Sequence, residues 1–148
     1  MDYASIVYHD LGVVLNIKLQ RMQNACVRFI TSTPRDAHIT PMYVEIGWLK
    51  LKERRQYAIA ILLTKIMRTS TPAYIFENIK PMKMIHHRNN RHTSHMLQIP
   101  HHRSVKCSSS FTITSSSLWN SLNLGQYMNR SIPSLKRILH SHFLSLYS

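Results

Sequence analysis

The chain has 148 residues, enough for one domain or two very small ones, and it carries 19 Lys and Arg against 6 Asp and Glu, a formal net charge of +13. This balance excludes an acidic solvating protein and favours a polyanionic partner, most simply nucleic acid. All six acids lie in the first 77 residues, whereas residues 78–148 hold nine Lys and Arg and no acid. We therefore expect a packed N-terminal part and a basic C-terminal extension.

The cysteines and the apolar runs indicate the cellular setting. Cys26 and Cys107 permit one bridge, but they form neither a disulfide framework nor a four-cysteine zinc unit. Asp2 and Asp10 interrupt the start of the chain, which does not fit a secretory signal peptide. The longest apolar run, residues 57–63, is much shorter than the ~20 residues that span a bilayer. We expect an intracellular protein, cytoplasmic or nuclear.

The first predicted helix covers residues 15–30, and Thr33-Pro34 ends it. Its apolar residues recur at steps of three and four, so we expect them to face the core. They are Leu15, Leu19, Met22, Cys26 and Ile30. Lys18, Arg21 and Arg28 lie on the other side, which is either a solvated outer face or a phosphate-contacting one.

Two further helices are predicted in the N-terminal part. Residues 41–46 form a short helix between an N-cap followed by proline and the C-cap Gly47. A longer helix covers residues 51–68, and its apolar middle predicts burial on all sides. Arg54 and Arg55 lie near the positive end of its dipole, an unfavourable place that suggests an external anion unless the two charges are simply solvated.

The remaining elements are predicted from caps and composition. A short helix follows Thr71-Pro72 and is closed by Pro81. Residues 82–110 form a basic, His- and Ser-rich loop with weak strands at best around 96–99 and 111–114, and it is expected to order only on a polyanion. Helices are predicted over 115–122 and from about residue 132. The fold class is therefore mainly α, with a helical domain over 3–79, a basic linker over 80–110 and C-terminal helices over 111–148.

No catalytic centre is evident in the sequence. The six acids are scattered, without the convergent pair that a two-metal site needs, and no glycine-rich phosphate loop occurs. Loosely spaced histidines suggest a weak zinc site at most, and otherwise a polar loop that gains charge on protonation. They are His86, His87, His92, His95, His101 and His102. We expect no enzyme activity, no metal and no cofactor.

Several strings occur in a specific order. They are KLQRMQNACVRFI at 18–30, HITP at 38–41, GWLKLKERR at 47–55, PAYI at 72–75 and LWNSL at 118–122. This series resembles the tail beyond the reverse transcriptase domain of jockey-like non-LTR (LINE-type) retrotransposon polyproteins. The polymerase of that family uses an adjacent Asp pair, which this chain lacks, so the resemblance implies no catalytic residue. Departures such as Asn123 in place of the family's proline after LWNSL suggest a truncated or decaying copy.

The resemblance and the charge together predict a non-catalytic nucleic-acid-binding remnant. The expected partner is RNA or DNA, bound without sequence specificity and with strong salt dependence. The predicted phosphate contacts are Lys18, Arg21, Arg28, Arg54, Arg55, Lys80, Lys83, Arg88, Arg91, Arg103 and Lys106. The alternative is a structural module that packs on a reverse transcriptase domain and exposes an apolar face of the 51–68 helix. A membrane-surface role for the last helix is less favoured.

Overall fold

A computed structural model describes residues 6–7, 10–84 and 95–147, and this part of the chain is mainly α-helical, as predicted. In chain order the helices are α1 (Val13–Thr31), α2 (Thr40–Glu45), α3 (Leu51–Thr69), α4 (Ala73–Phe76), α5 (Val105–Ser108), α6 (Phe111–Ser121) and α7 (Ile132–Ser145). Within these ranges there is no β-strand, and extended pairing is limited to one bridge between Pro81 and Leu97.

The chain divides into two compact units. The first comprises Met1–Ala58 and Lys136–Ser148, and the second comprises Ile59–Leu135. The predicted segments 3–79, 80–110 and 111–148 are a different partition, and as domain boundaries they stay a prediction.

The bounds predicted for α1, α2 and α3 are confirmed to within about two residues. The predicted N-cap Thr40 is instead the first residue of α2, and no side chain caps this helix. Gly47 adopts a φ of +64°, the left-handed conformation that glycine favours just beyond a helix. The middle of α3 is buried as predicted. Its buried apolar residues are Ile59, Ala60, Ile61, Leu63 and Ile66.

The predicted inward face of α1 is wrong. Leu15, Met22 and Ile30 are 52–58% exposed, and Cys26 is exposed as well. The buried residues of the helix are Gln23 and Val27. Apolar periodicity assigns apolar side chains to the buried face of a helix. It cannot identify amide side chains that are buried because their hydrogen bonds are satisfied, and amides face inward in this helix.

Amide side chains of α1 connect it to α2 and to the start of α3. Gln20 Nε2 donates to the Tyr43 hydroxyl at 2.9 Å, and Gln20 Oε1 accepts from the Leu51 backbone N–H at 3.0 Å. Gln23 Nε2 donates to the Leu49 carbonyl at 2.9 Å, and the Tyr43 hydroxyl donates to Asn24 Oδ1 at 2.8 Å. This network accounts for much of the LQRMQNA string as a structural feature of the first unit.

Two tyrosines complete the core of the first unit. Tyr43 is fully buried with Val27 and Met42, and Tyr147 packs against this cluster. The Tyr147 hydroxyl accepts from the Lys50 backbone N–H at 2.7 Å. Burial raises the pKa of both tyrosines to about 12, so each phenol stays neutral while the unit is folded.

In the second unit, the Trp-Asn pair of the LWNSL string holds the middle of the basic linker. Trp119 Nε1 donates to the His95 carbonyl at 2.8 Å. The Asn120 side chain accepts from the Leu97 N–H and donates to the Leu97 carbonyl, both at 2.9 Å. Leu97 is 2% exposed, so this part of the predicted loop is anchored by buried contacts without a polyanion.

The weak strand predicted at 111–114 is a second correction, because these residues form the first turn of α6. Their β-branched residues favour a strand locally, but Ile113, Ser116 and Trp119 follow each other at helical spacing and are all buried. Tertiary burial therefore outweighs local propensity. At 96–99 only Leu97 is paired in β fashion.

Candidate nucleic-acid interface

Most of the predicted phosphate contacts that the structure describes are exposed. They are Lys18 and Arg21 on α1 and Lys80, Lys83, Arg103 and Lys106 in the second unit. Arg28 and Arg54 are half-buried. Arg28 Nη1 donates to the Pro34 carbonyl at 2.6 Å, which ties the guanidinium to the turn after α1. Arg88 and Arg91 lie outside the described residues.

Arg55 does not fit its predicted role. The residue is 6% exposed, and its Nη1 donates to Asn16 Oδ1 of α1 within the first unit. A phosphate contact needs a guanidinium that reaches the surface, and this one is used inside the unit. The adjacent Arg54 was predicted from the same charge cluster, and sequence alone does not show which of two neighbouring arginines turns inward.

Exposed cations outnumber exposed acids on the part of the chain that is described. Twelve Lys and Arg are exposed against four Asp and Glu. The exposed cations are Lys18, Arg21, Arg35, Lys52, Lys65, Lys80, Lys83, Arg103, Lys106, Arg130, Lys136 and Arg137, and the exposed acids are Asp10, Asp36, Glu45 and Glu77. The surface positive charge is therefore largely uncompensated, which favours association with a polyanion.

One groove lies at the C-terminal end of α1, and we call it the Phe29 groove. It has a volume of about 430 Å³ and is lined by Ala25, Arg28, Phe29, Ser32, Thr33 and Arg35. Phe29 is 86% exposed, and Ser32 takes the left-handed conformation that ends the helix, with a φ of 50°. An exposed aromatic ring thus lies beside two guanidinium groups and two hydroxyls.

A second cavity forms where α2 turns into α3, and we call it the Trp48 cleft. It has a volume of about 350 Å³ and is lined by Gly47, Trp48, Leu49, Arg54, Tyr57, Ala58 and His140. The turn is fixed on both sides. The Trp48 N–H donates to the Tyr43 carbonyl at 2.9 Å, and the following Leu49 carbonyl accepts from Gln23.

One residue of α7, His140, contributes to the lining of this cleft. His140 Nε2 lies 3.1 Å from the Gly47 carbonyl, and because a carbonyl only accepts, Nε2 carries the donated proton. The Tyr57 and His140 rings meet edge to face at 6.3 Å between centroids. Burial raises the pKa of Tyr57, so its hydroxyl stays a neutral donor.

A further cavity of about 340 Å³, which we call the α7 groove, shares Tyr57 and His140 with the Trp48 cleft. Its other lining residues are Lys136, Arg137, Ser141 and Leu144. Lys136 and Arg137 are not among the phosphate contacts predicted from the sequence. Their proximity to Tyr57 depends on a pairing between residues about 80 positions apart, for which the sequence carries no local signal.

Within residues 6–7, 10–84 and 95–147, no three His, Cys, Asp or Glu side chains come together as a metal site requires. His86, His87 and His92 of the predicted cluster fall outside these ranges. No helix in the same ranges combines the length and apolar character needed to cross a membrane.

Comparison of the chain with protein-family models, with curated proteins and with solved structures gave no match.

Proposed function

We propose that this protein is a non-catalytic nucleic-acid-binding module, derived from the region that follows the reverse transcriptase domain in a jockey-like retrotransposon. It acts inside the cell and holds RNA or DNA by phosphate contacts. The observation that carries the proposal is the excess of exposed cations, twelve against four acids among the described residues. Such a surface supplies affinity through counterion release and carries no sequence specificity of its own.

The binding test is fluorescence anisotropy with labelled RNA and duplex DNA between about 50 and 200 mM salt. If six or more phosphates are contacted, the affinity falls by about 10³ or more over this range. Absent binding, or binding that does not respond to salt in a folded sample, would refute the proposal.

Two double variants of α1 distinguish the effect of side-chain charge on binding from the effect of side-chain shape. Lys18→Gln with Arg21→Gln removes two exposed charges and is expected to reduce the slope of log affinity against log salt by about 2. Lys18→Arg with Arg21→Lys keeps both charges, so the slope should stay that of the unchanged protein. Equal slopes for the two double variants would show that neither Lys18 nor Arg21 contacts a phosphate.

Exposed apolar side chains on α1 favour a second candidate function, that of a packing module on a reverse transcriptase domain. The face expected on the 51–68 helix is buried, but α1 exposes seven large apolar side chains. They are Val13, Val14, Leu15, Ile17, Met22, Phe29 and Ile30. Mixing the labelled chain with a purified jockey-type reverse transcriptase domain should give a complex that Val14→Glu with Ile17→Glu abolishes. No complex at micromolar concentrations would refute this function.

A further inference from the structure

We infer that the Trp48 cleft binds an unpaired nucleobase, and that the protein therefore prefers single-stranded nucleic acid to duplex. The inference rests on the proposed nucleic-acid binding and adds to it a ligand class and a site. Its basis is the meeting, within the first unit, of an exposed indole, two further rings and two exposed cations.

The rings supply the surface that a base needs. Trp48 is 37% exposed, although the residues on both sides of it are partly or fully buried, so part of the indole surface is in contact with water. Tyr57 and His140 line the same cleft. Stacking on an aromatic ring does not depend on base identity, because every base has a π-face. A stacking site is therefore compatible with the sequence-independent phosphate binding proposed above.

The cleft is built before any ligand arrives. Gly47 and Trp48 are held by backbone hydrogen bonds to α2, from the Gly47 N–H to the Val44 carbonyl at 3.1 Å and from the Trp48 N–H to the Tyr43 carbonyl at 2.9 Å. His140 is tied to the Gly47 carbonyl. A site fixed in this way loses little conformational entropy on binding. Its volume of about 350 Å³ lies at the lower end of the range for small-ligand sites, which suits a base.

Cations lie where the backbone of a stacked strand would continue. Tyr57 and His140 line both the Trp48 cleft and the α7 groove, and Lys136 and Arg137, both exposed, line the α7 groove as well. A strand with one base against Trp48 can therefore place a neighbouring phosphate over α7. In a duplex both faces of each base are stacked on its neighbours, so entry into the cleft needs an unpaired or flipped base.

The experiment compares three ligands of matched length: 12-nucleotide oligo(U), 12-nucleotide oligo(dT) and a 12-base-pair DNA duplex, all in about 100 mM salt. The chain has two tryptophans, and Trp119 is only 3% exposed, so quenching of fluorescence by the oligonucleotides reports mainly on Trp48. Quenching by either single strand, together with tighter binding than the duplex, is the expected result.

Two variants identify the site. Trp48→Leu keeps the backbone hydrogen bond of the turn and should weaken single-strand binding roughly 5- to 150-fold, the usual range for loss of one stacked base, with duplex affinity unchanged. Tyr74→Leu is the matched control, because Tyr74 is an aromatic residue of α4 that is 70% exposed and lies outside the cleft. It should leave both affinities unchanged. Circular dichroism confirms that both variants are folded.

Failure of the inference and failure of the proposed function are distinguishable. Salt-dependent binding that is equal for single strand and duplex, or that Trp48→Leu does not alter, would overturn the base-binding cleft and leave phosphate binding intact. Loss of binding to all three ligands would overturn both. Quenching by uridine monophosphate at the concentrations at which oligo(U) quenches would also overturn the inference, since the ligand would then be a free nucleotide.

Discussion

Of the three glycines, Gly125 is the one at which an added methyl group would collide with neighbouring atoms. A Cβ built on Gly125 would lie 2.5 Å from His95 Cβ and 2.6 Å from the His95 carbonyl oxygen. Carbon atoms pack best at about 3.5–4.0 Å, so the backbone at His95 would have to move by about 1 Å. The same carbonyl accepts the hydrogen bond from Trp119 Nε1, so the movement would also weaken a buried contact.

The expected cost of Gly125→Ala follows from these two effects. Overpacking of a buried position costs about 1–3 kcal/mol, and loss of one hydrogen bond costs about 1 kcal/mol more. A total of about 2–4 kcal/mol corresponds, for a chain of this size, to a Tm lower by roughly 4–15 °C. Thermal unfolding followed by circular dichroism measures the shift.

Gly12→Ala is the matched control, because a Cβ on Gly12 would have no atom within 4 Å. Gly12 occupies the N-cap position of α1, where this change costs under about 1 kcal/mol. If Gly125→Ala were no less stable than Gly12→Ala, the close approach of Gly125 to His95 would be refuted.

Two further predictions concern the first unit. Gln23→Met should lower the free energy of unfolding by about 1–3 kcal/mol, because the buried Leu49 carbonyl loses its hydrogen-bond donor. Urea unfolding measures this change, and unchanged stability would contradict the amide network. Tyr43 and Tyr147 have a pKa of about 12 in the folded state, against the ordinary value of 10.0 for an unburied tyrosine. Between about pH 10 and 12 the unfolded chain therefore loses these protons while the folded chain keeps them. The free energy of unfolding should fall as the pH rises through this range. Tyr147→Phe should flatten that fall, and an equal slope in the variant would argue against burial of this phenol.

The sequence determined the helices better than their orientation. Pro41 and Gly47 locate α2, because a proline in the first turn of a helix and a left-handed glycine just beyond its end are local features of the chain. The buried side of α1 is not a local property, because Gln23 can face inward only when the Leu49 carbonyl lies opposite to accept its hydrogen bond. Apolar periodicity alone therefore predicted the wrong face.

The candidate site was less predictable than the fold for the same reason. Lys18 and Arg21 are exposed as expected of charged residues on a helix, and nothing beyond composition was needed to select them. The Trp48 cleft depends on the hydrogen bond between His140 and Gly47, 93 residues apart in the sequence. No spacing rule connects such positions, so the cleft becomes visible only once the chain is folded.

The strings that resemble a retrotransposon tail contain residues that stabilise the fold and residues that we propose to bind nucleic acid. Asn120 belongs to the first kind, because its side chain satisfies both backbone groups of the buried Leu97. Asn120→Ala leaves two buried polar groups unpaired and should cost about 2 kcal/mol or more of stability, measured in urea. It lies in the second unit, so we expect the folded variant to keep its preference for single strands.

Trp48→Leu should show the opposite result, with little loss of stability and loss of the single-strand preference, because the ring of Trp48 is partly exposed while its backbone is held by α2. Measured together, the two variants test whether stability and binding depend on different residues within the retrotransposon-like strings. If Asn120→Ala abolished the preference in a folded sample, or Trp48→Leu destabilised the chain as much as Asn120→Ala, this separation would be wrong. The tail-like strings would then describe one interdependent structural unit, in which binding and stability cannot be assigned to separate positions.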